Sequence, residues 1–243
     1  MQKLFIANWK MHGGTAFLAE WASRFSPPGG RRIVVCPPFP YLAAARRILP
    51  SEVAVGAQAV FRGARDGAHT GEVSARMLAD VGCEYAIVGH SERRAAGETD
   101  SDCAAQLAAA AAAGIIPVLC AGESGEDAEK PERAEAAVLR QLRALESLSA
   151  GSPFAVAYEP SWAIGSGKTP PAEAISRAGG AIRRQIIVQK GAFGGTMPVL
   201  YGGSIKAENA ALLGRAGMDG GLVGGASLDA AEFAQICRAG GAE

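Results

Sequence analysis

Eight short apolar runs recur at fairly even spacing along the 243-residue chain. They are Leu4–Trp9, Ile33–Pro37, Val53–Gln58, Tyr85–Gly89, Ile115–Cys120, Phe154–Tyr158, Pro198–Tyr201 and Gly221–Val223. Most lack polar alternation, as expected of parallel strands covered on both faces. Helix-compatible stretches lie between them. The clearest is Pro131–Leu148, where Pro131 suits a first helical turn and Val138, Leu142 and Leu145 fall at helical spacing. Ala104–Ala113 is alanine-rich and so strongly helix-forming, and Gly114 is placed to end it.

Strand and helix alternating eight times predicts a parallel sheet, either open and doubly wound or closed into a (β/α)8 barrel. The count of eight favours closure. So does the gathering of polar residues just after several strands, because a barrel builds its site from all of its βα loops. The glycine-rich segments near 27–30 and 191–195 read as surface turns rather than linkers, so residues 1–243 are expected to form one domain.

Bulk composition narrows the functional classes. The hydrophobic fraction of 49% supports a sizeable core. The formal net charge is +0, which gives no global field for nucleic acid or an anionic membrane; an anionic substrate must be held locally. The five cysteines (Cys36, Cys83, Cys103, Cys120 and Cys237) are scattered, with no Cys-x-x-Cys pair and no histidine at ligand spacing. That pattern argues against a zinc site or disulfide framework and suits a reducing cytoplasm. The N-terminal apolar run is too short for a signal peptide, and no run approaches the ~20 residues of a membrane span.

The candidate chemistry sits at strand ends. Asn8 and Lys10 follow the first run on alternate positions, hence on one face of a strand. Gly89-His90-Ser91-Glu92-Arg93-Arg94 follows the fourth. Glu159 ends the sixth and opens a segment with rigid ends, Pro160 and Pro170, and a pliable centre, Gly165-Ser166-Gly167. This reads either as a catalytic base under a closing lid or as a helix-capping acid beside a surface loop. His90 is either catalytic or a satisfied structural histidine, and Lys10 either a site cation or a solvated lysine. The seventh and eighth runs end in Gly202-Gly203-Ser204 and Gly224-Gly225-Ala226-Ser227. Each pair alone is a tight turn. Two pairs, at the two loops where barrels usually bind phosphate, point to backbone N–H groups cradling an anion. Cys120 reads as packing rather than a nucleophile, and His12 and His69 as loop residues.

Taken together and in order, these segments resemble the triosephosphate isomerase family. The resemblance rests on Asn8-Trp9-Lys10-Met11, Cys36-Pro37-Pro38, Gly56-Ala57-Gln58, His69-Thr70-Gly71-Glu72, Gly89–Arg94, Tyr158-Glu159-Pro160, Trp162-Ala163-Ile164-Gly165, Tyr201–Ser204 and Leu222–Leu228. It implies a TIM barrel that interconverts dihydroxyacetone phosphate and D-glyceraldehyde 3-phosphate. By the same resemblance Glu159 is the base, and His90 the electrophile and proton shuttle. Lys10 supplies fixed charge and Asn8 a hydrogen bond. The N–H groups of Gly165, Ser204, Gly224 and Gly225 hold the phosphate, and Ile164 and Leu222 clamp over Glu159. No metal or organic cofactor is implied. A homodimer is implied through the loop around Thr70, with Glu72 reaching Arg93 of the second subunit. The chain departs from the family pattern at Ala59, His69 and Ser161, and the segment between Lys10 and Cys36 is short. Other readings of the residues are isomerisation of a four-carbon sugar phosphate, a Schiff-base aldolase using Lys10, and a non-catalytic binding protein.

Overall fold

The computed structural model describes residues 2–128, 130–163 and 169–241. Its strands are β1 (Lys3–Asn8), β2 (Arg31–Cys36), β3 (Val53–Ala57), β4 (Cys83–Val88), β5 (Ile116–Ala121), β6 (Ala155–Tyr158), β7 (Val199–Tyr201) and β8 (Gly220–Val223). All pair in parallel and in chain order, and β1 also pairs with β8, so the sheet closes. Each apolar run of the sequence therefore became a strand. At the closing seam Leu4 lies opposite Gly220. A Cβ on Gly220 would lie 1.8 Å from the Leu4 carbonyl oxygen, and its φ of +145° also demands glycine.

Two cores follow from strand alternation. Leu4, Ile6, Val34, Tyr85, Ile87, Val118, Cys120, Ala155, Ala157, Leu200 and Leu222 form one buried cluster, which fills the barrel. The intervening residues, such as Phe5, Ala7, Val156 and Tyr158, join a larger cluster with Leu107, Ile182 and Phe233 from the helices. Both faces of each strand are thus covered, which is why the runs are continuously apolar. Following the inward set two residues further along each strand gives Asn8, Gly122, Glu159, Gly202 and Gly224 at one end of the barrel.

The helices refine the sequence reading. The alanine-rich helix spans Asp100–Ala112 and begins in a capping box between Thr99 and Asp102. Gly114, at φ +76°, takes the chain out of it. The stretch from Pro131 is α-helical to Leu142 and then tightens to a 3-10 helix over Arg143–Ser147, with Val138, Leu142 and Leu145 buried. The segment 191–195, expected as a surface turn, instead continues the helix Ala172–Gly195 across a break at Gly191 (φ 63°). There the chain kinks and packs back on itself. A Cβ on Gly194 would lie 2.7 Å from the Ile186 carbonyl oxygen, so the close return needs glycine.

Candidate active site

The strand ends converge on a cavity of about 270 Å³, lined among others by Asn8, Lys10, His90, Glu159, Ser204 and Gly224. Asn8 is buried, and its Oδ1 accepts from the Lys10 N–H at 3.0 Å. Lys10 is the sole non-glycine residue with positive φ (50°) among the described residues. That conformation is disfavoured for a side chain with a Cβ. It is tied from the other side by Gln58, whose Nε2 donates to the carbonyls of Lys10 and Cys36, both at 2.8 Å. Lys10 Nζ donates to Glu92 Oε1 at 2.6 Å, and its Cε would lie 3.4 Å from a Cβ on Gly224. Nζ is therefore anchored by Glu92 beside the β8 glycines.

His90 breaks the inward parity. Gly89, at φ +66°, turns the chain out of β4, and His90 becomes the N-cap of the helix Ser91–Ala95. Its Nδ1 accepts from the Glu92 N–H at 3.2 Å. A nitrogen that accepts carries no proton, so this bond leaves Nε2 as the donor of the ring. The nearer oxygen of the Glu92 carboxylate stays 3.6 Å from Nδ1, beyond hydrogen-bond reach. Nε2 faces Glu159 Oε1 at 3.4 Å.

Glu159 is 3% exposed. Burial pushes its carboxyl up from the ordinary value, and His90, the Ser91 N–H, the Cys120 thiol and Lys10 only partly counter this. Ser91 N–H donates to its Oε2 at 3.2 Å. Two glycines make room for it. A Cβ on Gly202 would lie 2.7 Å from Glu159 Cγ, and one on Gly122 1.7 Å from the Glu159 carbonyl oxygen. Cys120 lies beside the carboxylate, and burial raises its thiol well above the usual value, which leaves it inert as a nucleophile.

The anion side of the cavity is backbone. Among the described residues, the N–H groups of Ser204, Gly224 and Gly225 have no hydrogen-bond acceptor. All three residues line the cavity. Unpaired N–H groups facing a cavity suit an anion. Ser204 also joins both ends of the segment Pro160–Pro170. Its Oγ donates to the Ala163 carbonyl at 2.8 Å, and its own carbonyl accepts from Thr169 Oγ1 at 3.2 Å. Gly165 and Ile164, expected as phosphate donor and clamp, lie outside the described residues, while Leu222 lines the cavity.

Sequence reasoning assigned no part to three residues that shape this region. Glu92 lies in the charged turn after His90 but is 82 residues from Lys10, so only folding pairs them. Gln58 falls in the motif Gly56-Ala57-Gln58, yet its two carbonyl acceptors are set by tertiary structure. Glu123 is buried; its Oε1 accepts from Tyr158 Oη at 3.1 Å and Trp162 Nε1 at 2.9 Å. Its carbonyl accepts from both the N–H (3.1 Å) and the Oγ (2.9 Å) of Ser161. The departure at Ser161 thus gains a hydrogen bond that an apolar residue there would lack. The carboxyl-terminal position of Glu123, just past β5, was the one available signal.

The loop expected to contact a second subunit runs over the surface. Phe61 and His69 pack within it as a tilted ring pair at 4.6 Å, and Glu72 is exposed. Arg93 pairs with Glu98 at 2.6 Å. Met11, next to Lys10, is 94% exposed.

The chain matches the family model for triosephosphate isomerase over residues 3–240. It is 47% identical over 242 residues to the triosephosphate isomerase of Alcanivorax borkumensis, covering 97% of each chain. It is 47% identical to that of Ralstonia nicotianae over 244 residues, and 42% identical to that of Acidiphilium cryptum over 252, covering 98% of each chain in both cases. A match spanning almost the whole barrel, together with identity of this order to full-length relatives, places the chain in the triosephosphate isomerase family, a family of aldose–ketose isomerases.

Proposed function

We propose that this chain, as one catalytic domain over residues 1–243, interconverts dihydroxyacetone phosphate and D-glyceraldehyde 3-phosphate through an enediolate. The observation that carries this reading is the pairing of a buried carboxylate, raised by desolvation, with the Nε2 donor of His90. Glu159 and His90 stand 3.4 Å apart at the wall of a cavity with free backbone N–H groups opposite.

Glu159 takes the proton from the carbon beside the carbonyl of dihydroxyacetone phosphate, and the C–H electron pair becomes the C=C bond of the enediolate. A desolvated carboxylate is a stronger base than a hydrated one. The carbonyl oxygen gains negative charge at that moment. His90 Nε2–H donates to it, and Lys10 adds fixed positive charge in a partly dry site. His90 then moves a proton between the two oxygens. Glu159 returns its proton to the neighbouring carbon, which completes the aldehyde. Asn8 contributes a hydrogen bond to the substrate. The N–H groups of Ser204, Gly224 and Gly225 hold the phosphate, joined by Gly165. The segment Pro160–Pro170 closes as the lid, which would shield an enediolate that could otherwise expel its phosphate. No cofactor takes part in this scheme.

The aldolase reading requires a neutral Lys10 amine. Here Nζ is held by Glu92 Oε1 at 2.6 Å rather than left open to a carbonyl carbon, which supports isomerisation. Assembly as a homodimer through the loop around Thr70 fits the bare Met11 and the exposed loop, and would cover both. A cytoplasmic setting fits the five free, buried cysteines. Among the described residues no helix is long and apolar enough to cross a membrane.

The test is a coupled assay for D-glyceraldehyde 3-phosphate isomerisation with Glu159→Gln as control. Turnover in the parent and its loss in the variant support the assignment. Equal rates in the two proteins, or clear preference for a four-carbon sugar phosphate, would refute it.

A further inference from the structure

A second groove, of about 440 Å³, lies on the outer helices and shares no residue with the catalytic cavity. It is lined by Glu173, Ser176, Arg177, Gly180 and Arg184 of the helix Ala172–Gly195, and by Arg215 at the end of the helix Ala211–Arg215. Glu173 is the one carboxylate in that lining, beside three arginines. None of the three makes an ion pair or a side-chain hydrogen bond among the described residues, although many of the other arginines do. Arg183, next to Arg184, is for example taken up by Asp219 at 2.5 Å.

The three arginines line one groove. Arg184 folds back along its helix, so that its Nη1 would lie 3.4 Å from a Cβ on Gly180. That puts the guanidinium about 4.5 Å along the axis from the Arg177 backbone, three residues away, rather than the ~10 Å of their own spacing. Gly180 leaves the floor of the groove clear, and the Ser176 hydroxyl lines the same space. Arg215 enters from the neighbouring helix. Guanidinium forks match phosphate oxygens in pairs, and three of them from two helices suit an anion with several phosphate oxygens.

We infer that this groove is a binding site for a small diphosphate-bearing anion, separate from the catalytic pocket. A long polyanion such as RNA is a poorer fit, because the chain has no net charge and the arginines form one compact cluster rather than a stripe. The inference stands whether or not the catalytic reading does.

Isothermal titration with inorganic pyrophosphate tests it, using the parent, the triple variant Arg177→Gln/Arg184→Gln/Arg215→Gln, and Lys10→Met. Lys10→Met removes the cation of the other pocket. The expected result is a loss of about tenfold or more in pyrophosphate affinity in the triple variant, with its isomerase rate unchanged, and affinity kept in Lys10→Met. Arg184→Gln alone should lose about threefold and serves if the triple variant does not fold. Equal affinity in the parent and the arginine variants overturns the site, as does loss confined to Lys10→Met. Binding of polyuridylate through the arginines without binding of pyrophosphate overturns the small-anion class.

Discussion

The backbone N–H of Glu92 donates to His90 Nδ1, and this one bond leaves Nε2 as the protonated nitrogen that faces Glu159. The tautomer is set by the main chain, so no side-chain change at Glu92 should remove it. Nitrogen-15 NMR of the free enzyme should find His90 Nδ1 bare in both the parent and Glu92→Gln. A proton on Nδ1 would contradict the proposed donor role.

Glu92→Gln should act on Lys10 instead. It weakens the 2.6 Å ion pair, so the ammonium loses its anchor while its charge remains. Turnover should fall about tenfold, and more than KM rises. An unchanged kcat would mean that the substrate alone positions Lys10.

Glu159→Asp keeps the charge but withdraws the carboxylate by about one methylene, ~1.5 Å. A drop in kcat of about 100-fold or more, with KM little altered, is expected from steady-state kinetics. A normal kcat would remove Glu159 from the role of base.

Burial raises the Glu159 carboxyl above its ordinary value, which ties stability to pH. Between the ordinary carboxylate value and the raised one, the folded state holds a proton that the unfolded state has released. Stability from this group is therefore full below the ordinary value and is lost as pH rises through the raised one. Glu159→Gln should thus melt a few degrees above the parent at pH 8, with the gap closing towards pH 4. Calorimetry at the two pH values checks this. An equal gap at both would mean that ionisation contributes nothing. The same shift predicts that kcat/KM in the parent fails on the acid side above the usual carboxylate range.

Gln58 bridges two carbonyls and underpins the strained Lys10 backbone. Gln58→Leu should cost about 1–3 kcal/mol in urea unfolding, because the Lys10 carbonyl loses its donor and the Cys36 carbonyl keeps only the Trp9 N–H. It should also raise KM more than it lowers kcat, since Lys10 would relax away from the cavity. A stable variant with parental KM would show that Asn8 alone suffices.

How much of this was legible in the sequence depended on whether a signal was local. The eight strands were readable because burial on both faces leaves an unbroken apolar run. Asn8 and Glu159 were readable because strand parity carries them to the barrel end, whereas Lys10 sits in a turn past β1 at φ 50°. The kink at Gly191 was not, because a glycine cluster in a helix and one in a turn look alike until Gly194 meets Ile186. The links of Lys10 to Glu92 and of Glu123 to Trp162 were invisible for another reason: their partners lie 82 and 39 residues away. Family resemblance supplied the roles at the site; the residues alone left His90 and Lys10 open between chemistry and structure.

The two-residue beat of the strands also limits how such a barrel can change. Glu159 faces the cavity because it is an even step beyond Ala157, as Asn8 is beyond Ile6 and Gly224 beyond Leu222. Deleting one residue within β6 would send the carboxylate outward among the helices and bring Tyr158 or Pro160 in. Turns at the opposite end of the barrel can lengthen or shorten without moving any of these groups. Descendants of this chain are therefore free to vary in the number of residues joining helix to strand, and are held to even changes within the strands that end in chemistry.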